Sequence, residues 1–590
     1  MQEADRALAA TSRKSDDVGK ASNRSRRRYN GWTENTVLED YSLRYAPKSF
    51  RKWTPYVVAT TALGGIAYLA DFAIGGSIAI THGFTNALCA ILTAAVVIFV
   101  TGIPISYYSA KYSIDMDLLT RGAGFGYFGS TLTSIIYASF TFIFFALEGS
   151  IMAQALEAAL HIPLPIGYLV AAVVVIPLVV YGMTALSRLQ VWTQPIWLVL
   201  MFAPFVAIAV KEPAKYAEWM QFAGNSASGS RFSTIGFGLG AGVALSLIAQ
   251  IGEQVDYLRF MPDKTPANAK RWWAAVLSAG PGWVILGAFK QLGGAFLAFY
   301  VADRVGLVKA GEPIEQYIAG FRTFAAPVAV GVAGFFVVLS QLKINVTNAY
   351  SGSLSWSNFF SRVLHWHPGR VIWIFLNVGI ALALMEGGVF GFLNAVLGFY
   401  SNVAIAWIGA VTADLMINKP LGLSPSFIEF KRAHLYNFNP VGFGSMLVAS
   451  LVSILAFFNV FGATAQAFSP FIALGLAFVL SPAAAVLTKG RYYIARTDDL
   501  PEPLMVDGVL SGAIMTCTVC HGAYERPDMA NCPFHVGTIC SLCCSLEKDC
   551  GDGCKTHSAD VVIQLRIKTP EQEGEQQATS VVATSKSMEV

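Results

Sequence analysis

The feature that most constrains this chain is its succession of long apolar stretches. A helix needs about 18–20 apolar residues to cross a bilayer, because its backbone polar groups must find partners inside the segment where water is absent. Stretches of that kind lie at 55–80, 86–108, 130–157, 164–184, 191–210, 232–251, 273–300, 325–348, 370–387, 390–415, 441–460 and 464–488. Twelve spans predict an all-α membrane protein in contact with the lipid bilayer and exclude a soluble enzyme. Charge usage agrees: 13% of the 590 residues are charged, against about 25% in a soluble domain. A net charge of only +4 gives no nucleic-acid footprint, so no nucleic-acid partner is expected.

Loop charges set an expected orientation. Lys111, Arg121, Arg259, Lys264, Lys270, Arg271, Arg362, Arg370, Lys431, Arg432, Lys489, Arg491 and Arg496 fall on the side of the N-terminus. Basic loops stay inside, so both termini are expected in the cytoplasm and the spans in the cell inner membrane. Residues 303–322 mix both signs and read as external. The first fifty residues are polar, with Arg24, Arg26, Arg27 and Arg28 clustered, unlike a cleavable signal peptide. The expected organisation is a polar cytoplasmic arm (1–50), amphipathic near Tyr41–Phe50, and then the membrane domain (51–495). A Cys-rich module (496–560) and a disordered Glu/Gln/Ser tail (561–590) follow.

Two spans are interrupted by glycine, the first at Gly64-Gly65 and Gly75-Gly76, the sixth at Gly236, Gly238, Gly240 and Gly242. Glycines in a span permit close helix packing, or mark a broken helix where backbone lines a cavity. The two spans hold matching places in two five-helix halves, which favours broken helices. A charge at a span's centre costs at least about 2.5–3.5 kcal/mol, which makes such residues functional candidates. Asp71, Glu148 and Lys343 fall mid-span and Glu386 lies between the ninth and tenth spans; a structural ion pair is the alternative. Asp71 is the expected partner of Lys343. Glu253 and Asp256, near the cytoplasmic end of the sixth span, read as interfacial groups with a structural or snorkelling role. Around Lys343 the eighth span collects Ser340, Gln341, Asn345, Thr347 and Asn348, a face that lines a site rather than lipid.

Four stretches resemble the nucleobase–cation symporter family that includes bacterial cytosine permease and the hydantoin transporter. Arg121-Gly122-Ala123-Gly124-Phe125-Gly126 follows the second span, and Asp256-Tyr257-Leu258-Arg259-Phe260 ends the sixth. Asn348-Ala349-Tyr350-Ser351-Gly352-Ser353-Leu354 lies in the eighth and Gly409-Ala410-Val411-Thr412-Ala413-Asp414 ends the tenth. The resemblance implies a leucine-transporter-like fold, two inverted five-helix repeats and two extra helices. It places a stacking aromatic and a hydrogen-bonding side chain of the third span at Phe144 and Glu148, four residues apart and so on one helix face. The sixth-span stacking position falls on Leu247, with Gln250 nearby, and Asn345 and Asn348 complete the expected substrate site. The family's sodium site falls near the carbonyls of Gly64 and Ala67 and on Lys343 and Ile344. An ammonium and a sodium ion cannot share that space, so coupling is assigned to Lys343, Asp71, Gly64 and Ala67.

Eight of the nine cysteines are crowded at the C-terminal end: Cys517, Cys520, Cys532, Cys540, Cys543, Cys544, Cys550 and Cys554, with His521, His535 and His557 nearby. Two Cys-x-x-Cys pairs fit one or two tetrahedral zinc sites, an iron–sulfur cluster being the alternative. So short a module needs metal to fold. A similar tail follows transporter-like domains fused to sensor histidine kinases. The function expected is a permease for a nucleobase or related heterocycle (a purine, pyrimidine or allantoin-like compound), sodium-independent and proton-coupled or facilitative. The alternative is a transporter-like sensor that signals through its metal module to a cytoplasmic protein such as a histidine kinase.

Overall fold

The computed structural model describes residues 40–555, and the expectations for 1–39, His557 and 561–590 lie outside them. All twelve predicted spans are helical. α1 is the pair Pro55–Gly65 and Ala70–His82, α2 Phe84–Tyr112, α3 Ser130–Leu160, and α4 the pair Leu164–Val173 and Ile176–Val180. α5 is Gly182–Lys211, and α6 runs from Thr234–Leu245 into Gln250–Leu258. A short helix, Ala269–Ala279, leads into α7 (Trp283–Ala310), followed by α8 (Ala326–Val363) and α9 (Arg370–Glu386). α10 is Leu393–Ala413, α11 Ser445–Phe457 and α12 Ser469–Thr488. Among the described residues nine helices are long and apolar enough to cross a membrane, and the bent α1 makes a tenth. The other two expected spans form as the shorter α4 and α9. The 17 residues of α9 rise about 26 Å, a little under a bilayer's hydrocarbon thickness of about 30 Å.

α1 is broken and α6 is not. Thr54 caps the first half of α1, accepting from Val57 N with Pro55 at the first helical position. The helix stops after Gly65, restarts at Ala70 and bends there by 48°. In α6 the glycines lie within regular helix; its distortion is a tight turn downstream, Ser246–Ala249. Gly240 lies against Ile78 and Ala90, and Gly238 against Ala467, so these glycines serve close packing. Gly75 and Gly294 do the same between the second half of α1 and α7. A Cβ on Gly75 would run into the Gln291 carbonyl, and one on Gly294 into the Phe72 backbone.

The arm is not a separate unit in its described part. Arg259 donates to the Tyr41 carbonyl (3.1 Å) and Asn358 to the Ser42 carbonyl (2.7 Å), tying the arm to α6 and α8. Arg44 pairs with Asp528 (2.6 Å) and Tyr45 donates to Glu525, tying it to the Cys-rich module. That module is three two-stranded antiparallel ladders: β1 (Met505–Val506) with β2 (Val509–Leu510), β3 (Ile514–Thr516) with β4 (Ala523–Glu525), and β5 (Met529–Cys532) with β6 (Gly537–Cys540). A short helix, α13 (Ser541–Leu546), follows.

The turn carrying the Arg121–Gly126 motif docks on the loop between α10 and α11. Gly124 and Gly126 have φ of +84° and +79°, values that favour glycine, and a Cβ at Gly126 would strike the Tyr436 and Asn437 carbonyls. Arg121 bonds the Asn358 side chain and the Phe430 carbonyl. In the same loop burial would raise the Glu429 carboxyl, but Lys431 and His434 beside it bring it from 4.5 down to about 2. Its contribution is therefore complete above about pH 4.5 and lost as the pH falls toward 2.

Gly75→Ala is expected to force α1 and α7 apart, overpacking that costs about 1–3 kcal/mol. A thermal unfolding curve in detergent checks this, and an unchanged midpoint contradicts the contact.

Candidate functional site

Breaking a helix in mid-membrane leaves N–H groups at one new end and carbonyls at the other. Both ends of the α1 break are met by charges from other helices. Glu148 on α3 accepts from Ala70 N through Oε1 (3.1 Å) and from Leu69 N through Oε2 (3.3 Å). The restarted helix has Leu69 at its cap position and no capping side chain of its own, so Glu148 supplies the cap and an anion at the positive end of the helix dipole. Lys290 on α7 meets the opposite end. Its Nζ donates to the Ile66 carbonyl (2.6 Å) and the Tyr68 carbonyl (3.0 Å). It pairs with Asp71 Oδ2 at 2.9 Å and stands 3.7 Å over the Tyr68 ring. Gln291 donates to Asp71 Oδ1 (2.9 Å), and Glu148, Lys290 and Asp71 are fully buried.

This geometry corrects the expected coupling pair. Asp71 pairs with Lys290, not Lys343, because Asp71 faces α7 whereas Lys343 lies on the face of α8 that packs on α5. Lys343 Nζ donates to Thr193 Oγ1 (2.8 Å) and the Gln190 carbonyl (3.2 Å). Gly64 sits at the edge of the break, packed on Gln190, and Ala67 lies buried inside it. Glu253 and Asp256 are fully buried, so they do not snorkel but take the structural role: Gln250 donates to Glu253 Oε2 (2.8 Å) and Tyr137 to Asp256 Oδ2 (2.8 Å). Glu386 is exposed at the end of α9, outside the site.

The expected substrate residues are all buried near this centre. Phe144 lies one turn before Glu148, its ring 4.5 Å from that of Phe140. Leu247 falls in the tight turn of α6 and Gln250 just after it. On α8, Asn348 donates to Asn345 Oδ1 (3.1 Å), and Asn345 to the Phe145 carbonyl (3.5 Å). Glu253 Oε1 and Asn348 Oδ1 are buried with no protein hydrogen-bond partner. Leaving such an atom unsatisfied costs about 1–3 kcal/mol, so the centre suits a polar ligand. A cavity of about 310 Å³ lies farther along the same helices, lined by Ile78 and His82 of α1, Val243 of α6 and Asn394 of α10.

Lys290, Tyr68 and Gln291 were missed from the sequence. Lys290 carried the same signal as Asp71, a charge in an apolar stretch, and the glycines around it marked the packed face of α7.

In the module, the Sγ atoms of Cys517, Cys520, Cys540 and Cys543 all lie within 4.8 Å of one another. Tetrahedral zinc with Zn–S of about 2.3 Å places sulfurs roughly 3.8 Å apart, so the set fits such an ion. Cys540 N and Cys543 N donate to the sulfurs of Cys517 and Cys540 (3.4 Å each), bonds that favour thiolates. His535 contacts Glu547 (2.9 Å), not this cluster, and His521 is not part of it.

The family model for permeases of cytosine/purines, uracil, thiamine and allantoin matches residues 45–479. Among solved structures the chain is similar to Mhp1, a nucleobase-cation-symport-1 family transporter, closed with bromovinylhydantoin bound. The TM-score is 0.58 at 16% identity, over 77% of this chain and 100% of that one. Inward-facing Mhp1 gives a TM-score of 0.54 at 16% identity, over 76% and 93% of the two chains. A substrate-bound, outward-open Na⁺-coupled sialic acid symporter gives 0.50 at 14% identity, over 77% and 93%. Identities this low speak for the fold alone, and that fold is the leucine-transporter-like one. No curated protein matches the chain.

Removing one member of a buried pair costs about 3–5 kcal/mol. Lys290→Met is therefore expected to destabilise by that order, and adding Asp71→Leu to recover part of it. Thermal unfolding of the two variants decides; simply additive losses would break the pairing.

Proposed function

Because the chain belongs to the family of permeases for cytosine/purines, uracil, thiamine and allantoin, we propose that it carries a nucleobase or related nitrogen heterocycle across the cell inner membrane, without sodium and with proton coupling. The observation that carries sodium independence is the Lys290 ammonium standing on the Ile66 and Tyr68 carbonyls of the broken α1. The resemblance expects helix-1 carbonyls to hold the sodium ion, and an ion drawn to this break would face a positive charge already in place. The lysine doing this is Lys290 rather than Lys343. Proton exchange is assigned to the Lys290–Asp71 pair, which sits where α1 is not held by its own backbone hydrogen bonds.

Substrate recognition is assigned to the Phe144 ring, Glu148, Leu247, Gln250, Asn345 and Asn348. A carboxylate accepts charge-assisted bonds from ring N–H and amine donors. Glu148 accepts one α1 bond at Oε1 and two at Oε2, which leaves a lone pair of Oε1 for such a donor. The cavity at Ile78 and His82 serves as the approach from the face opposite the module. The basic loops and the module share one face, which supports cytoplasmic termini.

Glu148→Ala is expected to weaken purine or pyrimidine binding by about 1.5–3 kcal/mol, roughly 10- to 150-fold, and Glu148→Gln less. Unchanged affinity in Glu148→Ala removes it from the site. Uptake of labelled purines and pyrimidines into vesicles is expected to be equal in sodium and choline buffers. It should vary with pH between about 5.5 and 8.5, because a proton carried with the substrate links uptake to proton concentration. Saturable sodium dependence refutes the Lys290 assignment, and binding without flux favours a ligand sensor.

A further inference from the structure

The four module cysteines outside the first cluster share a cavity, though their sulfurs do not gather within 4.8 Å of one another as those of the first set do. Cys532, Cys544, Cys550 and Cys554 line one cavity of about 10 Å³, along with Arg432 and Asp552, a volume for a single small occupant. Cys532 ends β5, Cys544 sits in α13 beside Cys543, and Cys550 and Cys554 flank a tight turn. The two sets therefore interleave along the chain, and the neighbours Cys543 and Cys544 serve opposite centres. We propose that Cys532, Cys544, Cys550 and Cys554 form a second thiolate site for a single divalent metal ion such as zinc, built at the joint between the module and the membrane domain.

Charge supports the placement. Four thiolates and one divalent cation leave a net charge of −2, and buried charge needs compensation. Arg432 is the cation of the lining and Lys555 stands behind it on Asp552, while Glu547, paired with His535, is a second acid of the lining. Arg432, from the α10–α11 loop, donates to the Cys544 carbonyl (2.9 Å) and the Glu547 carbonyl and pairs with Asp552 (2.8 Å). Lys555 also pairs with Asp552 (3.2 Å), an acid that offsets part of their charge. Lys555 further donates to Asn437 Oδ1 (2.8 Å), while Asn437 donates to Asp552 Oδ2 (3.0 Å). The Asn437 carbonyl accepts from Phe128 N (2.8 Å) and Gly129 N (2.9 Å), at the entry to α3. The ligand loop is thus held by the membrane domain, and through Asn437 it reaches the helix that carries Phe144 and Glu148.

The test counts metal in the full-length protein purified in detergent and reconstituted with zinc. Two ions per chain are expected, one in Cys520→Ser, one in Cys550→Ser and none in the combined variant. A single ion per chain that Cys550→Ser leaves in place overturns the site, as does iron accompanied by inorganic sulfide. Should Cys550→Ser fail to fold, cobalt titration of the unmutated chain decides, thiolate-to-cobalt absorption saturating at two equivalents for the proposal and at one against it. Arg432→Ala keeps all eight thiols and is expected to release one ion about tenfold more readily to a competing chelator. Equal retention of both ions places the second site away from the joint.

Discussion

The gap in α1 between Gly65 and Ala70 is the constraint on which the rest of this structure depends. A helix opened inside a membrane exposes donors on one side of the gap and acceptors on the other, and lipid satisfies neither. Here α3 answers the donors with Glu148 and α7 answers the carbonyls with Lys290. Each charge meets the helix end whose dipole favours it, and Asp71 and Gln291 complete the set. Glycine at 75 and 294 is what lets α7 approach closely enough for Lys290 to reach. Helix packing, backbone satisfaction and charge pairing at the centre of the bundle are thus one arrangement.

The centre carries its own cation, Lys290, paired with Asp71. The broken helix of a carrier presents carbonyls that attract a positive charge, and here the Ile66 and Tyr68 carbonyls accept from the Lys290 ammonium. Among the buried polar atoms without protein partners, Glu253 Oε1 lies on α6 and Asn348 Oδ1 on α8. The buried polar groups of the centre come in this way from several helices, α3, α6, α7 and α8 among them. An arrangement shared among helices responds to any shift of one against another.

The module is joined to this machinery by hard contacts. The arm reaches it through Arg44 and Tyr45, and the α10–α11 loop through Arg432 and Asn437. That loop also closes on the glycine turn before α3. The module's small apolar core, with Met529, Ala530, Phe534, Ile539 and Leu542, also takes in Leu43 of the arm and Ala433 of that loop.

Much of this protein was legible in its residues alone. Apolar length gave twelve helices, because a bilayer accepts few other solutions, and the family motifs gave the fold that the family model and the solved transporters support. The cysteine spacing pointed to metal, and the first cluster fits it. Charged residues in spans marked the centre but not their partners: Asp71 was matched to Lys343, and Lys290 went unread. Which face of a long helix meets which neighbour depends on packing angles and on contacts far apart in sequence, and hydropathy carries no record of them. For the same reason the glycines of α1 and α6 look alike on paper. Only the tertiary structure decides that one set flanks a break held open by Glu148 and Lys290, while the other lets intact helices touch, since a break forms only where other helices satisfy the backbone it exposes.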